Sequence, residues 1–197
     1  MLDLALLLVV AIPALCLATA LTLWLLAVQG RPVFYISERI GLAGRPFRLW
    51  KFRSMRAAAD AGIATGGDKD ARVTRAGAWL RARRLDELPQ LWNVLRGDMG
   101  FVGPRPPLRR YVARHAPLYA GVLAVRPGLT GLATLIYHRH EARLLAGCDS
   151  EAATDRLYSR RCVPRKARLD LIYVRRAGAG LDLAILMGTL RALVSAG

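Results

Sequence analysis

Acidic residues are scarce in this chain of 197: 14 Asp and Glu stand against 30 Lys and Arg, a formal net charge of +16. An excess of that size says little about fold, but it directs attention to anionic partners: nucleic acid, lipid head groups or phosphorylated substrates. Cysteine is nearly missing. Cys16 lies in an apolar segment, and Cys148 and Cys162 have no metal-ligand spacing, which removes a disulfide framework and a cysteine-based metal site. We read all three as reduced thiols without a catalytic role. The arginines are spread over the whole chain, with no helix-turn-helix pattern, no set of zinc ligands and no aromatic–basic RNA motif. A membrane-tethered nucleic-acid-binding protein therefore has charge in its favour but no motif. Internal repeats and low-complexity tracts are absent as well.

Charge is missing altogether from Leu4 to Val28, where the polar side chains are Cys16, Thr19 and Thr22. As a helix this stretch reaches roughly 37 Å, enough for a hydrocarbon core of about 30 Å. A cleaved secretory signal fits poorly, because no Lys or Arg precedes the apolar run. Pro13 predicts a kink near Ile12. Two arrangements follow: a single span that tolerates the proline, or a re-entrant helix that dips into one leaflet and returns. Hydropathy alone favours the span. Arg31, Arg39, Arg45 and Arg48 follow closely, which places the remainder on the cytoplasmic side. The hydrophobic fraction of 54% in so basic a chain agrees with a segregation into a greasy anchor and one cationic domain.

Beyond the anchor, Val33 to Ile36 reads as a strand, Gly41 to Pro46 as a turn and Phe47 to Phe52 as the returning strand of a small hairpin. The hairpin ends in the basic cluster Lys51, Arg53 and Arg56. Ala57 to Lys69, with Gly62, Gly66 and Gly67, reads as a mobile loop. A helical stretch around Trp79 and Leu80 follows, dense in arginine. Leu88, Leu91, Trp92 and Leu95 then fall at i, i+3, i+4 and i+7, predicting a helix with one apolar stripe. Pro89 suits its first turn and Gly97 the position past its end. A further helix is expected over Leu108 to Leu123, and Leu181 to Val194 is apolar enough to lie on a membrane surface.

Asp86 and Glu87 stand at the entrance of the striped helix. Neighbouring helical side chains diverge by about 100 degrees, so one carboxylate can attack or bind a metal while the other handles a proton or shapes the site. Position alone would equally make either of them a helix cap. The surroundings point to chemistry. Arg81, Arg83 and Arg84 precede the pair, and Arg105 sits in Gly103-Pro104-Arg105-Pro106, where flanking prolines stiffen the backbone for a bidentate phosphate contact. A carboxylate attacking a diphosphate needs arginines and a divalent cation to neutralise the phosphoryl oxygens.

Three blocks carry a resemblance: RPVFYISERIGLAGRPFRLWKFRSM (Arg31 to Met55), LDELPQLWNVLRGDMGFVGPRP (Leu85 to Pro106) and RPGLTGLATL (Arg126 to Leu135). In this order they resemble the bacterial sugar transferase family, the monotopic phosphoglycosyl transferases that start polyprenol-linked glycan assembly. The similarity runs over nearly the whole chain and resembles the family's small form, a catalytic domain with its anchor. It implies that Asp86 attacks the β-phosphate of a UDP-sugar, releases UMP and forms a covalent aspartyl–phosphosugar intermediate. Polyprenyl phosphate, usually undecaprenyl phosphate, then accepts the phosphosugar. It also implies that Asp86 and Glu87 hold Mg²⁺, that Glu87 alternatively deprotonates the acceptor, and that Arg105 binds phosphate, with Lys51, Arg53, Arg81 and Arg126 as weaker candidates. The family's anchor is re-entrant, broken at a Ser-Pro pair that reads Ile12-Pro13 here. The stretch Tyr137 to Cys162, with His138 and Glu141, resembles longer-tailed members, which bears on sugar or acceptor choice.

The expected architecture is thus α+β and mainly helical. Residues 1–30 form a re-entrant membrane helix broken near Pro13. Residues 31–197 form a cytoplasmic catalytic domain, with a small β-hairpin and amphipathic interfacial helices around the active site. The expected setting is the bacterial inner membrane, with a UDP-sugar, polyprenyl phosphate and anionic lipids as partners, no nucleic acid, and a homodimer as one admissible assembly. The expected role is the first membrane step of exopolysaccharide, O-antigen or glycoprotein assembly. A non-catalytic scaffold of the same fold is the other alternative; the intact Asp86, Glu87 and Arg105 argue against it.

Overall fold

The computed structural model describes residues 2–56 and 72–194; the loop expected over Ala57 to Lys69 lies outside them. Helix α1 (Leu2–Gln29) contains Pro13. Its helical run continues on both sides of the proline, so a change of direction there takes the form of a bend rather than an interruption. The Thr19 and Thr22 hydroxyls donate to the carbonyls of Leu15 and Ala18, at 2.9 and 2.7 Å. No hydroxyl proton of this segment is therefore left bare in apolar surroundings. One side of α1 packs through Leu21 and Leu25 onto Val33, Phe52 and Leu80. Ile12, Leu15, Leu23 and Val28 face outward, exposed. From Ala11 to Gln29 the helix is long and apolar enough to cross a membrane, with a mean hydropathy of 2.2.

The end of α1 is fastened rather than frayed. Gly30 takes a left-handed φ of 63°, as a residue just past a helix end commonly does. Arg53 then donates through one guanidinium nitrogen to the carbonyls of Gln29 and Gly30, at 2.6 and 3.0 Å. The Gln29 amide donates back to the Arg53 carbonyl at 2.9 Å and accepts from the Thr74 hydroxyl at 3.0 Å.

Strands β1 (Phe34–Ile40) and β2 (Pro46–Phe52) form the expected antiparallel hairpin, pairing Phe34 with Phe52 and Ile40 with Pro46. The first strand runs four residues further than the sequence suggested, from Ile36 to Ile40. On β2, Leu49 is buried against Val94, Met99 and Phe101. Lys51, two residues on, shares that face by the period-2 rule. Helix α2 (Arg75–Ala82) is capped by Thr74, whose hydroxyl accepts from the Gly77 amide at 2.9 Å. Gly77 is required there, because a Cβ would collide with the Ser54 carbonyl.

The striped helix differs from expectation. Residues Leu85–Gln90 form a 3₁₀ turn with Pro89 inside it, and only Leu91–Leu95 (α3) is α-helical. At about 3.0 residues per turn, the 3₁₀ winding displaces the stripe. Leu88 and Leu91 pack inward, while Trp92 and Leu95 stay exposed. Gly97, at φ 77°, follows the end as anticipated. The helix expected over Leu108 to Leu123 is two: α4 (Arg109–Arg114) and α5 (Ala116–Val122), the second with Pro117 in its first turn. Proline suits that position and resists continuation of the preceding helix.

An unanticipated parallel pair joins β3 (Gly100–Val102) to β4 (Gly128–Thr130). Helices α6 (Leu132–Leu145), α7 (Glu151–Leu157), α8 (Val163–Arg176) and α9 (Ala179–Val194) follow, with a π-helical turn over Tyr158–Cys162 between α7 and α8. The fold is mainly helical, as expected. Helix α9 buries Ile185 and exposes Leu183, Met187 and Leu190.

Candidate active site

The turn after α2 aims the carboxylate pair. Arg84 adopts φ 54°, the left-handed conformation that non-glycine residues seldom take, and Asp86 and Glu87 open the 3₁₀ turn directly after it. Asp86 is 9% exposed. Glu87 receives two cations on one oxygen: Lys51 Nζ lies 2.8 Å and an Arg105 terminal nitrogen 2.6 Å from its Oε1. Lys51 comes from β2 and Arg105 from the segment after β3. The site is therefore assembled from three places in the chain.

Arg105 is held by backbone as much as by side chain. The Gly103 amide donates to the Thr130 carbonyl, and the Gly128 amide to the Pro104 carbonyl, both at 2.9 Å. The two segments lie so close that a Cβ on Gly103 would meet the Arg126 carbonyl at 2.6 Å. Glycine is the residue that allows such an approach. Two of the blocks singled out in the sequence thus interlock to fix Arg105. Asn93, fully buried, plays a similar part for β2. Its side chain accepts from the Trp50 amide at 3.1 Å and donates to the Arg48 carbonyl at 2.7 Å.

Electrostatics divide the carboxylates by role. Burial alone would raise Glu87; the Arg105 and Lys51 charges and their hydrogen bonds outweigh it and hold Glu87 well below the usual carboxylate range. Burial raises Asp86, with the Glu87 charge adding to the rise and Lys51, Arg81 and Arg105 offsetting it only in part. Among the described residues Asp86 forms no ion pair. Burial lowers Lys51 in spite of Glu87, whereas the Glu87 charge raises Arg105. One carboxylate is committed to two cations; the other is buried, raised and without an ion pair among the described residues.

The remaining predicted residues fall in different places. The Arg81 Nε donates to the Ser54 hydroxyl at 3.0 Å, and its charge reaches Asp86. Arg53 fastens the end of α1, and the Arg126 side chain is exposed. Pro13 lies far back in α1. Among the described residues no three of His, Cys, Asp and Glu gather into a metal-binding group.

The sequence reading missed several partners. Arg39, on β1, makes 3.4 Å contacts with the Pro106 carbonyl and the Ser37 hydroxyl and has no carboxylate partner among the described residues. Burial and the nearby Arg105 lower it to about 10. In the Tyr137 to Cys162 stretch, Glu141 pairs with Lys166 at 2.7 Å, and Lys166 also donates to the Tyr158 hydroxyl at 3.3 Å. Burial opposes the Lys166 charge, but Tyr158 and Glu141 overcome it and raise the group. Asn93 did leave a local signal, a lone amide between Trp92 and Val94. The Glu141–Lys166 pair spans 25 residues and left none.

Comparison with known proteins adds the following. A family model described as bacterial sugar transferase matches residues 1–196. A UDP-N-acetylgalactosamine-undecaprenyl-phosphate N-acetylgalactosaminephosphotransferase of Aeromonas hydrophila is 36% identical over 194 residues, covering 95% of this chain and 41% of the relative. A UDP-glucose:undecaprenyl-phosphate glucose-1-phosphate transferase of Xanthomonas campestris pv. campestris is 38% identical over 167 residues, 80% of this chain and 31% of the relative. An undecaprenyl-phosphate glucose phosphotransferase of Komagataeibacter xylinus is 36% identical over 197 residues, 90% of this chain and 32% of the relative. The chain spans less than half the length of each of these three.

Proposed function

The chain belongs to the bacterial sugar transferase family, and on that premise we propose that it transfers a sugar phosphate from a UDP-sugar to undecaprenyl phosphate, releasing UMP. The observation that carries this reading is the division of labour in the dyad: Glu87 is clamped between Lys51 and Arg105, which leaves Asp86 buried, raised and unpaired. A bystander pair of acids at a helix entrance would not need two cations brought from distant segments.

In the reaction, an Asp86 oxygen attacks the β-phosphorus. The bond from that phosphorus to the bridging oxygen breaks, and its electron pair leaves with UMP. The product on the protein is a mixed anhydride between Asp86 and the phosphosugar. An oxygen of the acceptor phosphate then attacks the same phosphorus, the Asp86 carboxylate departs, and a polyprenyl diphosphate sugar results. Arg105 and Lys51, fixed by Glu87, neutralise the phosphoryl oxygens as charge builds on them. Their preorganisation means that no reorientation is needed at the moment of reaction.

Mg²⁺ suits these donors. Asp86 is an unpaired carboxylate, and Glu87 makes both ion pairs through Oε1, keeping Oε2 outside them. Magnesium prefers one or two carboxylates together with substrate phosphates. Asp86, with Glu87 beside it, would hold the ion, which when bound supplies further neutralisation of the diphosphate. The membrane setting is supported by α1 and by the proposed lipid acceptor, and the basic segment after α1 favours the cytoplasmic face of the inner membrane. A re-entrant anchor turning at Pro13 suits a protein whose remaining residues, 31–197, stay on one side.

The test is UMP release from a panel of UDP-sugars by purified protein with undecaprenyl phosphate and Mg²⁺. Release with one donor that disappears in Asp86→Asn, together with loss of a phosphosugar adduct in intact-mass spectra, is the expected result. Release that persists in Asp86→Asn removes the nucleophile assignment. Silence of folded wild-type protein across the panel favours the scaffold alternative.

A further inference from the structure

A cleft of about 320 Å³ lies beside the dyad, bordered by the end of α2, the turn after it, β4, α6 and α9. Arg81 and Arg84 reach it from one side and Arg139 from the other. None of the three forms an ion pair among the described residues, and no carboxylate lines the cleft. Like charges gathered around one hollow repel one another, and an anion in the middle relieves that repulsion. Three hydroxyls add to the polar lining, those of Thr130, Thr134 and Thr189, the first and last of them 2.8 Å apart. Thr189 donates to the Ile185 carbonyl at 2.8 Å and accepts from Thr130, so the arginines are the main donors an anion would meet.

The cleft is not wholly polar. Leu135 and Ala192 also line it, and α9, which supplies Thr189 and Ala192, bears the exposed Leu183, Met187 and Leu190. An anion with an apolar tail would find its head held by arginines and its tail beside an apolar helix. A nucleotide would find less. The lining offers no carboxylate for ribose hydroxyls and no indole or phenol for a base, only the His138 imidazole. The cleft also shares Arg81 with the surroundings of Asp86, so it is linked electrostatically to that carboxylate.

We infer that this cleft is a second anion site, distinct from the Lys51–Glu87–Arg105 triad, and that it receives the phosphate monoester of the lipid acceptor with its chain leaving along α9. The inference rests on the transferase reading above. It gives that reaction two phosphate sites, one holding the donor diphosphate and one delivering the acceptor. Arg84 and Arg139 become acceptor-binding residues.

The test uses full-length protein in detergent, with farnesyl phosphate as the probe and farnesol as the uncharged control. Arg139→Ala and Arg84→Ala should each weaken farnesyl phosphate binding about ten-fold, as the loss of a charge-assisted contact partly screened by solvent would do. Arg139→Lys should recover part of the loss, and farnesol binding should not change. In turnover assays the KM for the lipid phosphate should rise while the KM for the UDP-sugar stays within two-fold. Unchanged farnesyl phosphate binding in both alanine variants overturns the inference, as does a loss confined to UDP-sugar binding, which would assign the cleft to the nucleotide. Wild-type protein that binds farnesyl phosphate in an Arg139-dependent way but releases no UMP would leave the cleft assigned and the transferase reading refuted.

Discussion

Glu87→Gln preserves the shape of the dyad and removes one charge, which makes it the sharpest probe of the triad. Two cations now share Glu87 Oε1, at 2.8 and 2.6 Å. The glutamine amide can still accept from one of them, but both lose their counterion. Breaking a buried ion pair from one side costs about 3–5 kcal/mol. The Lys51 side chain is 17% exposed and that of Arg105 36%, so solvent screens the arginine half and the lower end of that range applies. Lys51 is already lowered by burial, with Glu87 as the largest influence opposing the fall. Without that charge it falls further, and the cation left behind has no counterion. We expect a loss of about 3 kcal/mol in unfolding free energy and of about two orders of magnitude in kcat/KM, each 1.4 kcal/mol being a factor of ten. The assay is chemical unfolding beside UMP release. Adding Lys51→Met should restore part of the stability, because it removes the stranded cation, and should restore no activity. Wild-type stability in Glu87→Gln, or a double variant less stable than the single one, would refute the pairing argument.

Asp170, buried on α8, accepts a hydrogen bond from the Ala133 amide while its Oδ1 has no partner; burial raises it to about 7. Between its ordinary range near 4 and that value, the folded state holds the proton that the unfolded state has released. Stability therefore falls as pH rises through this window, by on the order of 1 kcal/mol per unit. Asp170→Asn should flatten the slope in melting scans from pH 4.5 to 7.5; an unchanged slope would clear Asp170 of the effect. EDTA should stop UMP release and added Mg²⁺ restore it, while full activity in chelator would count against the ion. For the anchor, Asp3→Cys in a background free of the three native cysteines should react with an impermeant thiol reagent from the cytoplasmic side of inside-out vesicles. Labelling only from the opposite face would show a single span.

The legible parts of this fold were those with a local cause. The hairpin showed as two β-rich runs around a glycine turn, and the dyad showed as acids at a helix entrance. The pairing of Lys51, Glu87 and Arg105 was not legible, because the partners are 36 and 18 residues apart and each alone reads as a surface charge. The β3–β4 pair escaped for a different reason. Three residues per strand are too few for an alternation to declare itself, and the close approach that Gly103 and Gly128 allow has no local signature. The 3₁₀ winding of Leu85–Gln90 escaped because an apolar spacing of three and four is shared by both helix types over one or two turns. Arg53, a weaker phosphate candidate on the resemblance, closes the end of α1, a role visible only once that end is in place.

That closure has a mechanical consequence. Arg53, Gln29 and Thr74 weld α1 to the domain, so the anchor is a rigid strut and not a tether. On the transferase reading, a substrate held by a lipid presents its phosphate at one height above the bilayer, and the weld would set Asp86 at one height to meet it. Adding one residue to α1 would raise the domain by about 1.5 Å and turn it by about 100 degrees. The length of the strut is thereby gauged in whole turns, and the depth of the bilayer becomes part of the active site's dimensions.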